Sequence, residues 1–509
     1  MRGLTKLVLA FALLLAGSAL AQETFRIAIG VDADSLDPVQ GTTTTIDNIV
    51  DYIAQTLIGI DETGGLVPLL ATEWSTADDG LTMDLTLREG VTFHDGTPLT
   101  ADVVVWNFDR LLDPEVNVPR RGPYAPIESA EAVDDLHVRL HLTSPAPYMA
   151  GALTQSTAAI ISPDSVDLEG NSYENIAHPV GTGPYRFESR SFGENIQVSR
   201  FDDYWGELPY YERVVFQIVP EATTRESLLL AGQVDMIILP PASDIPALDA
   251  NPAVEVVFGP SNRTIFIVIN TTKPGLDDPR VRQALNYAVD KQAIVDGILF
   301  GAADVMDAPM AASLFGYAPQ GTYQYDPERA RELLAEAGVE PGELTVDFMA
   351  PTGRYVQDFP AAQAIANYLS EVGVTANVRT MDWPTYVGTM VQPVEQNETQ
   401  LHLLGWAPAF MDASQQMLQF QTSQHPPAGL ATSFYSNPAV DDLIAQANSA
   451  TNPEQRADLY AQAEEIIWQD APWIFLWVQR FPMVHSADVT NITGLPNEKF
   501  YALYAHPAD

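Results

Sequence analysis

DDPRVRQALNYAVDKQAIVDGILFGAA, residues Asp277–Ala303, states its own local structure. Asp278 offers a side-chain oxygen as a helix cap, and Pro279 occupies the first helical position, where a missing N–H costs nothing. Val281, Leu285, Ala288 and Val289 then fall on one side, the spacing of a helix laid on a core. Upstream, Ile265–Ile269 is an apolar run of strand length; downstream, Asp326-Pro327 opens a second helix, with Leu333, Leu334 and Ala337 on its apolar face and Gly338 at its end. Asn437-Pro438 and Asn452-Pro453 repeat the helix-start signal. Strand-like runs recur at Phe25–Gly30, Thr82–Arg88, His137–Leu142, Val214–Val219, Val254–Phe258, Leu344–Met349 and Ile474–Val478. Short strands interleaved with amphipathic helices, without an internal repeat or a low-complexity linker, predict an α/β protein.

The chain has 509 residues, 46% of them hydrophobic, enough to bury a large core in several domain-sized units. It has no cysteine, which removes disulfides, thiolate metal sites, cysteine nucleophiles and the lipidated cysteine of a lipoprotein. Acidic residues number 67 against 25 basic, a formal charge of −42, and only four of the basic residues are lysine: Lys6, Lys273, Lys291 and Lys499. Such a polyanion repels phosphate backbones and anionic headgroups, so neither nucleic acid nor a membrane surface is an expected partner.

Arg2 and Lys6 precede an uncharged run, Leu7 to Gln22, and Ala19-Leu20-Ala21 has the small-x-small pattern of a signal-peptidase site. The run is shorter than the ~20 residues that span a bilayer as a helix. Residues 1–21 are therefore expected to be a leader cleaved after Ala21, leaving a periplasmic protein without a membrane anchor.

Catalytic signatures are sparse. The chain contains no GxxxxGK loop and no HExxH helix, and no GxSxG elbow follows the leader. Gly181-Thr182-Gly183 runs into Pro184 and reads as a turn before a strand. His137 and His141, four apart in a strand, lie ~13 Å from each other, too far to share a metal. His94, beside the Asp95-Gly96 turn, reads as a structural hydrogen-bonder, and Tyr185, Phe187 and Trp205 as core.

Five blocks resemble the solute-binding proteins of ABC importers, specifically the dipeptide-, oligopeptide- and nickel-binding group known as extracellular solute-binding family 5. They are LREGVTFHDGTPLTADVVVWNFDRL (Leu87–Leu111), VGTGPYRFESR (Val180–Arg190), the opening stretch Asp277–Ala303, YDPERARELLAEAGV (Tyr325–Val339) and FYSNPAVDDLIAQA (Phe434–Ala447). The resemblance implies a two-lobed clamp with an inserted subdomain and paired crossover hinge strands. Mapped onto this chain, one lobe comprises 22–65, 180–268 and 481–509, the inserted subdomain 66–179, and the second lobe 269–480. Ile265–Ile269 and Ile474–Val478 stand where the chain would cross between lobes.

The resemblance also suggests a ligand site. In Met349-Ala350-Pro351-Thr352-Gly353-Arg354-Tyr355, Arg354 matches the arginine by which dipeptide-binding members hold the ligand carboxylate, a role suited to a permanently charged fork; the alternative is a structural ion pair. Gly405-Trp406 matches the block that precedes the aspartate for the peptide ammonium, but that position is here Ala409; the nearest carboxylate is Asp412. An unpartnered ammonium costs several kcal/mol to bury, so a peptide with a free amino end is expected to bind only if Asp412 or another group substitutes. Tyr355, Trp383, Trp406 and Phe410 supply aromatic surface, either to core or to ligand. Gly41, Thr42 and Thr43, after Leu36-Asp37-Pro38, belong to a loop that in this family offers backbone groups to the ligand; otherwise they form a turn before a helix containing Ile49, Ile53 and Leu57. Arg120 and Arg121 fall near a region where some relatives carry a cleft arginine, on a weak local match.

Two classes of function follow. The first is a monomeric binding protein, without cofactor, that takes a di- or oligopeptide between its lobes and delivers it to an inner-membrane ABC permease; an opine, an oligosaccharide, or nickel or another metal chelate are alternative cargoes. The second is a secreted peptide or glycan hydrolase, for which only abundant carboxylates and aromatics speak.

Overall fold

Strand Thr264–Ile269 is buried at every position, so it needs packing on both faces, and it lies inside a six-stranded sheet. The computed structural model describes residues 24–508 except Asp34, Thr42, Thr43, Gly353 and Asp382, and excludes the side chains of Thr45, Ile46 and Pro384. The leader and its cleavage site lie outside the described residues. The sheet runs Ala303–Val305, Trp473–Gln479, Thr264–Ile269, Leu401–Trp406, Thr345–Met349, Thr375–Arg379, and the last three strands are mutually parallel. The helices Pro279–Tyr287, Pro327–Glu336, Pro438–Ser449 and Pro453–Asp470 start where the proline signals place them, each with its Asp or Asn cap accepting a backbone N–H.

A seven-stranded sheet takes strands from both ends of the chain, in the order Val254–Gly259, Phe481–Ser486, Met236–Ile238, Thr24–Ile29, Arg213–Ile218, Asn195–Arg200, Tyr185–Ser191. A four-stranded antiparallel sheet, Ala71–Thr76, Thr82–Leu87, His137–Leu142, Ile127–Asp134, is backed by helix Ala101–Leu112 and has its own core around Phe93, Phe108, Leu111 and Tyr124. Arg110 of that helix ties it to the first lobe through a fully buried ion pair with Asp37.

The chain leaves the seven-stranded sheet at Gly259, enters the six-stranded one at Thr264, and returns between Gln479 and Phe481. The two passages are adjacent: the Gln479 N–H donates to the Arg263 carbonyl at 2.9 Å. The protein is a two-lobed α/β clamp, as expected, with both crossings side by side. Two lobes joined in this way can rotate about the crossings without unpairing either sheet. Among the described residues no helix is long and apolar enough to cross a membrane.

Two helices are shorter than expected: Thr44–Ile53 contains Ile49 and Ile53 but stops before Leu57, and Pro279–Tyr287 stops before Ala288 and Val289, which are buried in the turn that follows it. His94 is half-buried against Phe201; its Nδ1 accepts the Gly181 N–H, so Nε2 carries the proton and donates to the Gly183 carbonyl at 3.0 Å. Burial lowers its pKa to about 4, so the ring is neutral at pH 7. His137 and His141 instead face Asp134 and Glu131 on the surface.

The turn Gly181-Thr182-Gly183 presses on the end of helix Thr44–Ile53, and the Gly183 N–H donates to the Ile53 carbonyl at 2.9 Å. A Cβ on Gly181 would stand 2.0 Å from that carbonyl oxygen. Because the obstacle is backbone, Gly181→Ala is expected to destabilise the fold by about 1–3 kcal/mol, seen as a lower denaturation midpoint.

Candidate functional site

In open α/β sheets ligands gather beyond the carboxyl ends of parallel strands. Both lobes present such ends to one cleft. From the six-stranded sheet come Arg354 and Tyr355 after Thr345–Met349, Trp383 after Thr375–Arg379, and Trp406 to Ala409 at the end of Leu401–Trp406. From the seven-stranded sheet come Val31 after Thr24–Ile29 and Leu239 after Met236–Ile238. The cavity between them measures about 710 Å³, the size of a short peptide.

The turn before helix Asp358–Glu371 aims Arg354. Asp358 Oδ2 accepts the Arg354 and Tyr355 N–H groups at 2.8 and 3.1 Å, which pins both residues at the strand's end. The guanidinium of Arg354 is exposed and lies 5.0 Å from the Tyr355 ring centre and 5.3 Å from that of Trp383. No carboxylate among the described residues stands within ion-pair distance of it. The Tyr355 hydroxyl donates to the Gly405 carbonyl at 3.3 Å, and only glycine fits there: a Cβ on Gly405 would stand 2.6 Å from Ile265 and 2.7 Å from Tyr355. Burial pushes the Tyr355 hydroxyl up in pKa, against the pull of the nearby Arg354 and Arg263 guanidiniums. Trp406 donates its indole N–H to the Gln415 carbonyl at 3.2 Å and keeps the half-buried ring on the cleft wall.

The facing wall is polar. Arg120 donates to both Asp47 oxygens at 2.8 and 3.0 Å and to the Gly41 carbonyl at 2.8 Å. Arg263 grips Glu498 through Nε at 2.8 Å and Nη2 at 2.6 Å, and Lys499 pairs with Asp51 at 2.6 Å. Among the described residues, the charged groups lining the cleft are Arg120, Arg263, Arg354 and Lys499 together with Asp47 and Glu498. Arg120, Arg263 and Lys499 are each paired with a carboxylate, Lys499 with Asp51 just outside the lining, which leaves Arg354 as the cation of the described lining without such a partner.

Of the residues singled out from the sequence, Arg354, Tyr355, Trp383, Trp406 and Ala409 share this cleft. Gly41 is buried, with its carbonyl engaged by Arg120, while Thr42 and Thr43 lie outside the described residues. Phe410 and Asp412 sit elsewhere. Phe410, 1% exposed, inserts into the core of the four-stranded unit and stacks on Tyr148 at 5.6 Å. Asp412 is buried, held by Arg456 through two bonds of 2.6 Å, and caps helix Ala413–Met417; it borders a separate cavity of about 630 Å³. Its carboxylate is thus spent on Arg456 and does not stand in at the position of Ala409. Of the arginine pair, Arg120 reaches the cleft, whereas Arg121 holds the carbonyls of Leu111, in the last turn of helix Ala101–Leu112, and of Asp113 and Val116 beyond it.

Asp47, Arg263, Glu498 and Lys499 were not foreseen as cleft residues. Scarcity was the available signal for the lysine: Lys499 is one of four, and no other follows Lys291. Arg263 stands directly before the buried strand Thr264–Ile269, a place where a charge needs a reason.

Comparison with known proteins agrees with this architecture. Residues 65–427 match the family described as bacterial extracellular solute-binding proteins, family 5. A glutathione-binding protein GsiB of Pectobacterium atrosepticum is 33% identical over 480 residues, 93% of this chain and 92% of the relative. HbpA2 of Haemophilus parasuis superposes with a TM-score of 0.86 at 26% identity, over 96% of this chain and all of that one. A dipeptide-binding protein of Pseudoalteromonas, solved with Met-Leu, gives a TM-score of 0.76 at 25% identity, over 95% of this chain and all of the other.

Proposed function

This chain belongs to the bacterial extracellular solute-binding proteins of family 5, which deliver their ligands to ABC permeases, and from that premise we propose that its cargo is a short peptide bearing a free carboxylate, with glutathione the first candidate. The observation that carries this reading is Arg354: an exposed guanidinium beside two aromatic rings, without a carboxylate partner among the described residues, in a cleft whose other described cations are each paired. A peptide carboxylate completes that site with a bidentate, charge-assisted pair. The names of the GsiB relative and of the dipeptide-binding neighbour support a peptide over an opine, a sugar or a metal chelate. The protein would work as a monomer, exported with cleavage after Ala21, whose lobes, divided as the resemblance implies, close on the ligand about the two crossings at Arg263 and Arg480.

Calorimetry tests the cargo. Glutathione, its S-methyl derivative and a panel of dipeptides are titrated beside the same compounds amidated at the carboxyl end. Carboxylate-ended members are expected to bind and their amides to lose at least tenfold; binding of a sugar or chelate, with every peptide inert, would overturn the reading. Small-angle scattering at saturation should show a smaller radius of gyration than the unliganded protein, as a hinged clamp requires.

A further inference from the structure

We infer that the Arg263–Glu498 pair is a second recognition element in this cleft, reading the zwitterionic amino-acid head of a peptide joined through a side-chain carboxyl, as in a γ-glutamyl peptide. The inference rests on the peptide reading above and narrows it to a class of linkage.

Glu498 is held in place by a tight hairpin. It has φ +62, the left-handed conformation that closes the three-residue turn Pro496–Glu498 between strands Thr493–Leu495 and Lys499–Tyr501, so the hairpin fixes where its side chain starts. Its carboxylate is oriented from two sides. Oε1 accepts the Ser261 hydroxyl at 3.0 Å and Arg263 Nε at 2.8 Å, while among the described residues Oε2 accepts only Arg263 Nη2 at 2.6 Å. Oε2 therefore has acceptor capacity left, and Arg263 Nη1 has no acceptor among the described residues. Both side chains line the cleft, at 10% and 17% exposure. Asp47, the other carboxylate of the lining, has each oxygen engaged by Arg120.

The chemistry of the head follows from the pair. A lone ammonium, as at the start of an ordinary α-peptide, wants a lone carboxylate, and the position where relatives supply one is Ala409. An Arg–Glu pair instead presents a positive and a negative group side by side with no net charge. Its complement is a head with the same two charges on one carbon, the ammonium toward Glu498 Oε2 and the carboxylate toward Arg263 Nη1. A peptide linked through the γ-carboxyl of glutamate keeps such a head and still ends in the carboxylate that Arg354 awaits. Arg263 and Arg354 line the one cleft, so a single ligand can reach both.

The test uses S-methylglutathione, which cannot form a disulfide, its N-acetyl derivative, and the isomer linked through the α-carboxyl, each titrated calorimetrically into the parent protein. The γ-linked free amine is expected to bind at least tenfold more tightly than either other compound, and Glu498→Gln, which keeps the volume of the side chain, to shrink that preference to threefold or less. Equal affinity for all three in the parent, with binding still lost on carboxyl-terminal amidation, would overturn the inference and leave the carboxylate-peptide reading standing. Absence of binding by all three, amidated or not, would overturn both. The ligand series alone decides if Glu498→Gln fails to fold.

Discussion

Arg354→Ala is expected to weaken binding of a carboxylate-ended peptide by about 2–5 kcal/mol, because the ligand's charge would enter a desolvated cleft without its partner. The effect should lie in affinity alone. The guanidinium is exposed and bonds to no other side chain among the described residues, so thermal stability should shift by no more than ~0.5 kcal/mol. Arg354→Lys should recover only part of the loss, since an ammonium keeps the charge but gives up the two-pronged geometry and the guanidinium's contact with the Tyr355 and Trp383 rings. Calorimetry of the three proteins against one peptide decides it: an alanine variant that binds like the parent makes Arg354 a bystander.

Asp412→Ala should do the opposite, costing stability while sparing the cleft. Removing this carboxylate strands Arg456, 4% exposed at its side chain, without a counter-charge, and also removes the cap that accepts the Ser414 N–H at 2.9 Å. Breaking a buried pair from one side costs about 3–5 kcal/mol, which should appear as a much lower denaturation midpoint. Asp412→Ala combined with Arg456→Met should regain much of that loss, because a neutral side chain no longer needs a partner. If Asp412→Ala instead folds as stably as the parent and loses peptide binding, the aspartate belongs to the ligand and the cleft assignment is wrong.

These two residues show what could and could not be read from the chain. Eight strand-like runs and four proline-led helices were legible because their signals are local: a cap, a proline, an apolar period. Arg354, Tyr355 and Trp406 were legible because each sits in a block whose neighbours are equally distinctive. Asp412 was misplaced for a different reason. Its partner Arg456 lies 44 residues away on another helix, and in a chain with 67 carboxylates nothing in one dimension tells a salt bridge from a ligand contact. Glu498 and Arg263 stand farther apart still, 235 residues, and meet only because the closing segment of the chain folds back beside the crossover.

Phe410 has a consequence for engineering and for descent. The six residues from Trp406 to Met411 serve two masters: Trp406 and Ala409 line the cleft, while Phe410 is plugged beneath Tyr148 and beside Gly151 in the four-stranded unit. That unit is therefore no detachable accessory. Excising it would unroof an aromatic side chain next to the cleft wall, and grafting the Trp406–Met411 loop from a relative would import a plug cut for a different socket. New specificities in this scaffold should travel as a pair, loop and socket together, and a chimera that swaps one without the other is expected to lose its grip on both.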